Sequence, residues 1–183
     1  MIMENIKIVK DNLRREIKLK KKAMSPLQIE EKSKNIQMQI ELIKKFHESH
    51  TILAYMALPD EVQTRSFLQK WIDKKRIVLP VINGETLELR EYVLGGILDK
   101  SSSYGIMEPH NGKIVLPDEV DFAIIPGLAF DRSNKRLGRG KAYYDKLLRA
   151  TQFFKVGVCF QEQLVDNVPV DEFDVKMNLV IVA

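Results

Sequence analysis

Hydrophobic and polar positions follow two rhythms along the chain. Near the start, Ile6, Val9, Leu13 and Ile17 recur every three or four residues, which predicts an amphipathic helix with a narrow apolar stripe. One residue along runs a second stripe, Lys7, Lys10, Arg14 and Lys18, all on roughly one face of that helix. "SPLQ" at Ser25–Gln28 then offers an N-cap serine, a proline at the first helical position and a capping-box glutamine. A second amphipathic helix is expected from there to about His47.

Beyond that point the apolar runs become short and nearly continuous. "TILAYMAL", "RIVLPVI", "VDFAIIPG", "FKVGVCF" and "NLVIV" read as buried strands, and "TLELREYV" alternates like a half-exposed one. "PDEVQT" is a turn, and "RSFLQKWIDKK" carries Phe67, Leu68, Trp71 and Ile72 at helical spacing. "GGILDKSSSYGIMEPHNGK", rich in Gly, Ser and Pro, predicts an irregular functional or edge segment. Strands alternating with helices, and too apolar to face water on one side, predict an α/β domain with a largely parallel central sheet covered on both faces. No repeat or linker divides the chain, so residues 1–183 are expected to form one domain.

Composition narrows the class. Of 183 residues, 45% are hydrophobic and 30% charged, the balance of a folded soluble protein. No apolar run approaches the roughly 20 residues that span a bilayer, and the opening segment lacks the small-residue cleavage site of a secretory signal. The expected compartment is the cytoplasm. A single cysteine, Cys159, excludes a disulfide framework and sits in an apolar run as a packed thiol. His47, His50 and His110 show no metal-ligand spacing. The net charge of +4 is local: residues 1–25 hold eight Lys or Arg against three acids, leaving the remainder one unit negative. A nucleic-acid face would want aromatic support or a recognition motif, and neither is evident.

The densest chemistry lies in "NKRLGRGKAYYDKLL", Asn134–Leu148. Gly138 and Gly140 allow backbone amides to approach a ligand, Arg136, Arg139 and Lys141 supply cations, and a helix start follows with free N–H groups. The parts suit a phosphate cradle, although a basic glycine-rich surface turn would look the same. The spacing matches neither the G-x-x-x-x-G-K-[ST] loop nor the dinucleotide fingerprint. Asp145 is either a helix-dipole partner or a magnesium ligand. Asp171, Glu172 and Asp174 in "VPVDEFDV" read as a solvated loop. Lys10 and Arg14 read as a solvated helix face or a second clamp on a polyphosphate.

"PGLAFDRSNKRLGRGKAYYD" closely resembles the signature of the 5-formyltetrahydrofolate cyclo-ligase (methenyltetrahydrofolate synthetase) family. "KDNLRREI" with "KAMSP", "YMALPDEVQT", "YGIMEP" and "VPVDEFDV" resemble further family segments, in family order over nearly the whole chain. The resemblance implies a three-layer α/β/α sandwich. It also implies an ATP- and Mg²⁺-dependent ligase of one-carbon metabolism that converts 5-formyltetrahydrofolate to 5,10-methenyltetrahydrofolate with release of ADP and phosphate. In the mechanism it implies, the formyl oxygen is phosphorylated and N10 of the folate attacks the activated carbon. No covalent enzyme nucleophile is needed.

The same resemblance distributes roles over residues. Lys10, Asp11, Asn12, Leu13 and Arg14 would belong to the nucleotide site, together with Arg136, Leu137, Gly138, Arg139, Gly140, Lys141, Ala142, Tyr143 and Tyr144. Arg139 and Lys141 would stabilise charge during transfer, with Tyr143 stacked near the reacting groups. Asp145 and Asp174 would hold magnesium. Met56 and Glu61 would face the folate, Glu61 bonding the donor-rich pterin edge, and Tyr104 and Glu108 would line the same cleft. Ala142 stands where the family commonly has glycine, so a positive φ there would strain the loop by about 1 kcal/mol or more. Phe173 stands where histidine is frequent. The expected partner is the folate, with no nucleic acid or membrane, and the expected state is a monomer. The rival reading is a non-catalytic nucleotide- or nucleic-acid-binding protein.

Overall fold

The computed structural model describes residues 2–96, 98–100, 107–109 and 112–183. Tyr104 and His110 lie outside the described residues. In chain order the helices are α1 (Ile2–Lys22), α2 (Pro26–Glu41), α3 (Lys44–Glu48), α4 (Arg65–Trp71) and α5 (Tyr143–Arg149). The first six strands are β1 (Thr51–Leu53), β2 (Arg76–Asn83), β3 (Thr86–Tyr92), β4 (Leu98–Lys100), β5 (Met107–Pro109) and β6 (Ile114–Val115). They are followed by β7 (Phe122–Pro126), β8 (Ala129–Asp131), β9 (Arg136–Leu137), β10 (Phe154–Cys159), β11 (Leu164–Val165) and β12 (Leu179–Val182).

Seven strands form the central sheet in the order β12-β10-β7-β1-β2-β3-β6. The first five run parallel, and β3 and β6 complete the sheet antiparallel. Successive strand residues point to opposite faces, and here both faces are dry. Ile52, Ile77, Phe122, Ile124 and Val158 join Ile36, Ile40, Phe46, Phe67 and Leu68 of α2–α4 on one side. Leu53, Val78, Ala123, Ile125 and Cys159 meet Leu147 and Leu148 of α5 on the other. The result is the α/β/α layering expected from the continuous apolar runs. Burial pushes the Cys159 thiol up to about 12, so it stays protonated and inert.

Three elements depart from the sequence pattern. The second helix stops at Glu41, and Ile43 is extended (φ −74°, ψ 119°) before α3 begins. That break turns Phe46 into the core, edge-on to Trp71 at 4.8 Å. The "TILAYMAL" run pairs as a strand only over Thr51–Leu53, with Ala54 N donating to Val78 O. The chain then leaves the sheet to form a wall of the cleft. In α1, Val9 is 46% exposed, whereas Lys10 and Lys21 are buried beside Ile17. Leu13 and Ile17 do reach an apolar cluster with Ala129, Leu137 and Val168, on the small sheet β11-β8-β9. The capping box at Ser25 and Gln28 forms as read, with bonds of 2.8 and 3.3 Å. Among the described residues no helix is long and apolar enough to cross a membrane.

Phe130 of β8 is fully buried and fixes how closely β7 and β10 lie beneath the site. A methyl group on Gly157 would meet its ring at 2.4 Å. Gly157→Ala is therefore expected to destabilise the protein by about 1–3 kcal/mol, read as a lower urea midpoint at unchanged slope.

Candidate functional site

In open α/β sheets the crevice forms beyond the carboxyl ends of the parallel strands, and that is where this chain places its cleft. Tyr55, Met56 and Glu61 follow β1, Pro80 and Ile82 end β2, and Pro126 and Gly127 end β7. The cleft measures about 850 Å³ with its open mouth included, and the loop from Gly138 to Asp145 forms its opposite wall. Met56, Glu61 and Glu108 all line it. Burial raises the Glu108 carboxyl above the usual range, opposed by the Ile82 N–H at 3.3 Å. Tyr55, Pro80, Ile82 and Leu87 also line it and were missed by the sequence reading. Apolar residues at strand ends look the same in sequence whether they face a core or a ligand.

The loop between β9 and α5 is braced from within. Arg136 Nη2 donates to Asp145 Oδ1 at 2.6 Å, with side chains 3% and 12% exposed, and Nη1 reaches Pro126 O at 3.3 Å. The guanidinium lies 5.6 Å from the centre of the Tyr144 ring, and burial pushes the Tyr144 hydroxyl well up. Arg136 is thus matched by an internal partner, unlike a free phosphate ligand. Its Nε has no hydrogen-bond partner among the described residues, a buried donor that an acceptor on a ligand would satisfy. Gly138 makes room for this guanidinium, since a Cβ there would lie 3.0 Å from it. Gly140 takes φ +103° and Ala142 φ 55°, ψ 14°. The alanine does hold the left-handed conformation that favours glycine.

The remaining loop cations face the cleft. Lys141 is exposed at its rim and makes no hydrogen bond or ion pair among the described residues. Tyr143 stands beside it, its hydroxyl 3.5 Å from Gly84 O. Arg139 crosses to the opposite wall, donating from Nη2 to Glu61 Oε1 at 2.7 Å and reaching Asp60 Oδ1 at 3.3 Å. Burial works against its charge, but Glu61 and Asp60 outweigh that and raise its pKa. Asp60 in turn accepts from Lys21 Nζ of α1 at 2.7 Å.

Helix α1 flanks the loop from outside the cleft. Arg14 Nε donates to Gly138 O at 3.0 Å, and Arg14 Nη1 to Asp11 at 2.6 Å. Lys10 is buried against Asp171 (2.7 Å) and Asp174. Burial opposes its charge, but the two carboxylates prevail and raise its pKa. Asn12 accepts from Arg15 on the exposed side, and Leu13 and Leu137 serve packing. The expected nucleotide residues therefore fall into two groups, a cleft wall (Arg136 to Tyr144, without Leu137 and Gly140) and a helix behind it.

Among the described residues no three His, Cys, Asp or Glu side chains gather as a metal cluster. Asp145 lines the cleft, whereas Asp174 sits with Lys10 and is not part of the cleft lining. Each offers a hard oxygen donor singly. That suits Mg²⁺ arriving on phosphates, which takes one or two carboxylates, better than a preformed ion site.

Comparisons with known proteins place the chain in a family. Residues 6–183 match the model of the 5-formyltetrahydrofolate cyclo-ligase family. A protein of that name from Haemophilus influenzae is 30% identical over 177 residues, covering 92% of this chain and 94% of its own. The Mus musculus protein of the same name is 26% identical and covers 99% and 97%. The solution structure of Aquifex aeolicus 5,10-methenyltetrahydrofolate synthetase superposes with a TM-score of 0.86 at 29% identity, over 95% of this chain and 89% of that one.

Two outcomes follow from the loop. Ala142→Gly should raise stability by up to about 1 kcal/mol, because the left-handed conformation costs an alanine about 1–2. The same change at an ordinary helical position would lower it by a similar amount, so the sign of the shift in denaturation midpoint decides. For Asp60, burial favours the neutral acid, but Lys21 and Arg139 win and depress its pKa. A depressed carboxylate adds stability above its unfolded pKa of about 3.9 and loses it as pH falls through the folded value. Its side chain is 46% exposed, so screening limits the effect to about 0.5 kcal/mol. Asp60→Asn should lower stability by that amount at pH 7, and the gap should close as pH falls through the depressed folded value in acid titrations of the two proteins.

Proposed function

The chain belongs to the 5-formyltetrahydrofolate cyclo-ligase family, and we infer that its cleft converts 5-formyltetrahydrofolate to 5,10-methenyltetrahydrofolate with ATP as phosphoryl donor. One observation carries this reading: a cationic loop and a carboxylate-bearing apolar wall face each other across a single cleft. The apolar wall of Met56, Pro80, Ile82 and Leu87 suits a flat pterin, and Glu61 suits its row of N–H donors. The loop wall suits a polyphosphate.

An amide-like formyl oxygen is a poor leaving group, and phosphorylation makes it a good one, so N10 can close the ring and phosphate can depart. The protein's part in such a transfer is positioning and charge neutralisation. Lys141, unpaired at the rim, meets the phosphate charge first, and Arg139 supplies a second cation from the middle of the cleft. Tyr143 bounds the space where donor and acceptor meet. Asp145, which lines the cleft, is the carboxylate that would hold Mg²⁺ and so help neutralise phosphate charge, whereas Asp174, bound to Lys10 outside the cleft lining, would reach the ion only by leaving that lysine. Lys10 and Arg14 steady the loop and its acidic neighbour from behind. Their inward pairing, together with that of Lys21, withdraws three of the eight Lys and Arg of α1 from any nucleic-acid face.

The test is direct. Purified protein, 5-formyltetrahydrofolate and Mg²⁺ are followed at the near-ultraviolet band of the methenyl product, with and without ATP. Growth of the band only with ATP is expected, and a flat trace from folded protein would overturn the reading. Lys141→Ala, removing an exposed side chain, should lower kcat by about 10²–10³-fold while leaving the circular dichroism spectrum unchanged.

A further inference from the structure

Arg139 stands between the two halves of the cleft, paired with carboxylates of the wall opposite its own loop. Its Nε and Nη2 both donate to Glu61 Oε1, at 3.1 and 2.7 Å. The other oxygen of Glu61 accepts from Leu58 N at 3.0 Å. On the neighbouring carboxylate, Asp60 Oδ1 lies 3.3 Å from Arg139 Nη2, while Oδ2 is held by Lys21 at 2.7 Å. Each carboxylate therefore has one oxygen anchored to the scaffold and the other turned to Arg139.

A carboxylate that receives the paired N–H donors of a flat heterocycle presents both oxygens to them. On Glu61 the oxygen not anchored to the scaffold already receives two N–H groups from Arg139. The pterin edge and the guanidinium thus compete for Oε1. We propose that the folate substrate displaces Arg139 from Glu61, and that the freed guanidinium, kept in place by Asp60, turns to the nucleotide phosphates. The Glu61–Arg139 pair is then a coupling device between the two substrate sites, and Asp60 a positioning residue for Arg139. This rests on the assignment of Glu61 to the folate and Arg139 to the nucleotide given above.

The contrast with Arg136–Asp145 supports the exchange. That pair is 3% and 12% exposed, with a further guanidinium bond to Pro126 O, and is suited to permanence. Arg139 is 33% exposed while Glu61 is 10% exposed, so incoming phosphate oxygens can reach the guanidinium, and the exchange requires that the folate's N–H donors replace it on a carboxylate that is itself largely buried. Holding the cation on Glu61 until the acceptor arrives would also disfavour transfer of the phosphoryl group to water.

Isothermal titration with the non-hydrolysable β,γ-imido analogue of ATP and Mg²⁺ tests the coupling without turnover. With saturating 5-formyltetrahydrofolate the Kd of the analogue should fall at least fivefold, and the Kd of the folate should fall by the same factor with saturating analogue. Glu61→Gln, measured without folate, should bind the analogue about threefold or more tightly than the unaltered protein. A gain in affinity is something a merely structural residue would not produce. Arg139→Met should bind the analogue more weakly and with one Kd whether or not folate is present. Equal Kd values with and without folate in the unaltered protein, or no gain in Glu61→Gln, would sink the coupling while leaving the functional reading intact. Failure of either ligand to bind the folded protein would overturn both.

Discussion

Arg136 and Asp145 meet at 2.6 Å in a place that water scarcely reaches, and the loop between them takes its form from that contact. Removing two charges from water costs several kcal/mol each, so such a pair persists only with close geometry and further hydrogen bonds. Here the geometry is enforced from several sides. Arg136 opens β9, Asp145 lies in the first turn of α5, and Pro126 O at the end of β7 takes a further guanidinium bond. Gly127 and Gly138 are bare because a Cβ on either would press on Phe130 or Arg136. With its ends pinned, the loop has little choice but to turn Arg139 and Lys141 outward. One cation is neutralised inside so that two others can be presented to the cleft.

The N-terminal helix is attached by the same kind of force. Its buried face carries Lys10 and Lys21 on either side of Ile17, each finding carboxylates far away in sequence. Arg14 bonds the carbonyl of Gly138, and its guanidinium lies against Gly140. The helix touches the acidic loop, the phosphate-side loop and the Asp60–Glu61 turn at once. A purely apolar stripe would bind the helix to the small sheet but would not set the spacing of three loops around a cleft. Cations with defined partners do both.

How much of this the sequence discloses follows from which interactions are local. The layered sheet was legible because consecutive residues such as Ile52 and Leu53, or Ile124 and Ile125, are all apolar, which only a strand covered on both faces requires. The capping box was legible because its two partners lie three residues apart. Lys10 and Lys21 were not, because a lysine on a helix reads as solvated until partners 161 and 39 residues away are known. Arg136 was grouped with its basic neighbours, since nothing in the spacing of nine residues to Asp145 tells a buried pair from an exposed one. The short first strand and the broken second helix have the same cause. Ala54–Met56 and Ile43 have strand- and helix-compatible side chains, and tertiary demands at the cleft and at Phe46 decide their backbone.

Ala142 shows how far the frame can override local preference. The left-handed conformation costs alanine about 1–2 kcal/mol against a total stability of about 5–15 kcal/mol, so the loop must be held by something stronger. The Arg136–Asp145 pair and the packing of Tyr144 on its guanidinium supply that hold. Glycine would enter the same conformation without strain, but it would also open other conformations to the segment. Alanine leaves the residue fewer alternatives on either side of the turn. The positions of Lys141 and Tyr143, which flank it, are then defined by the frame together with the restricted backbone between them. A strained residue at the hinge of a charged loop is a sign that the surrounding structure determines the loop's shape, and in this protein the determinant is a pair of charges hidden beneath it.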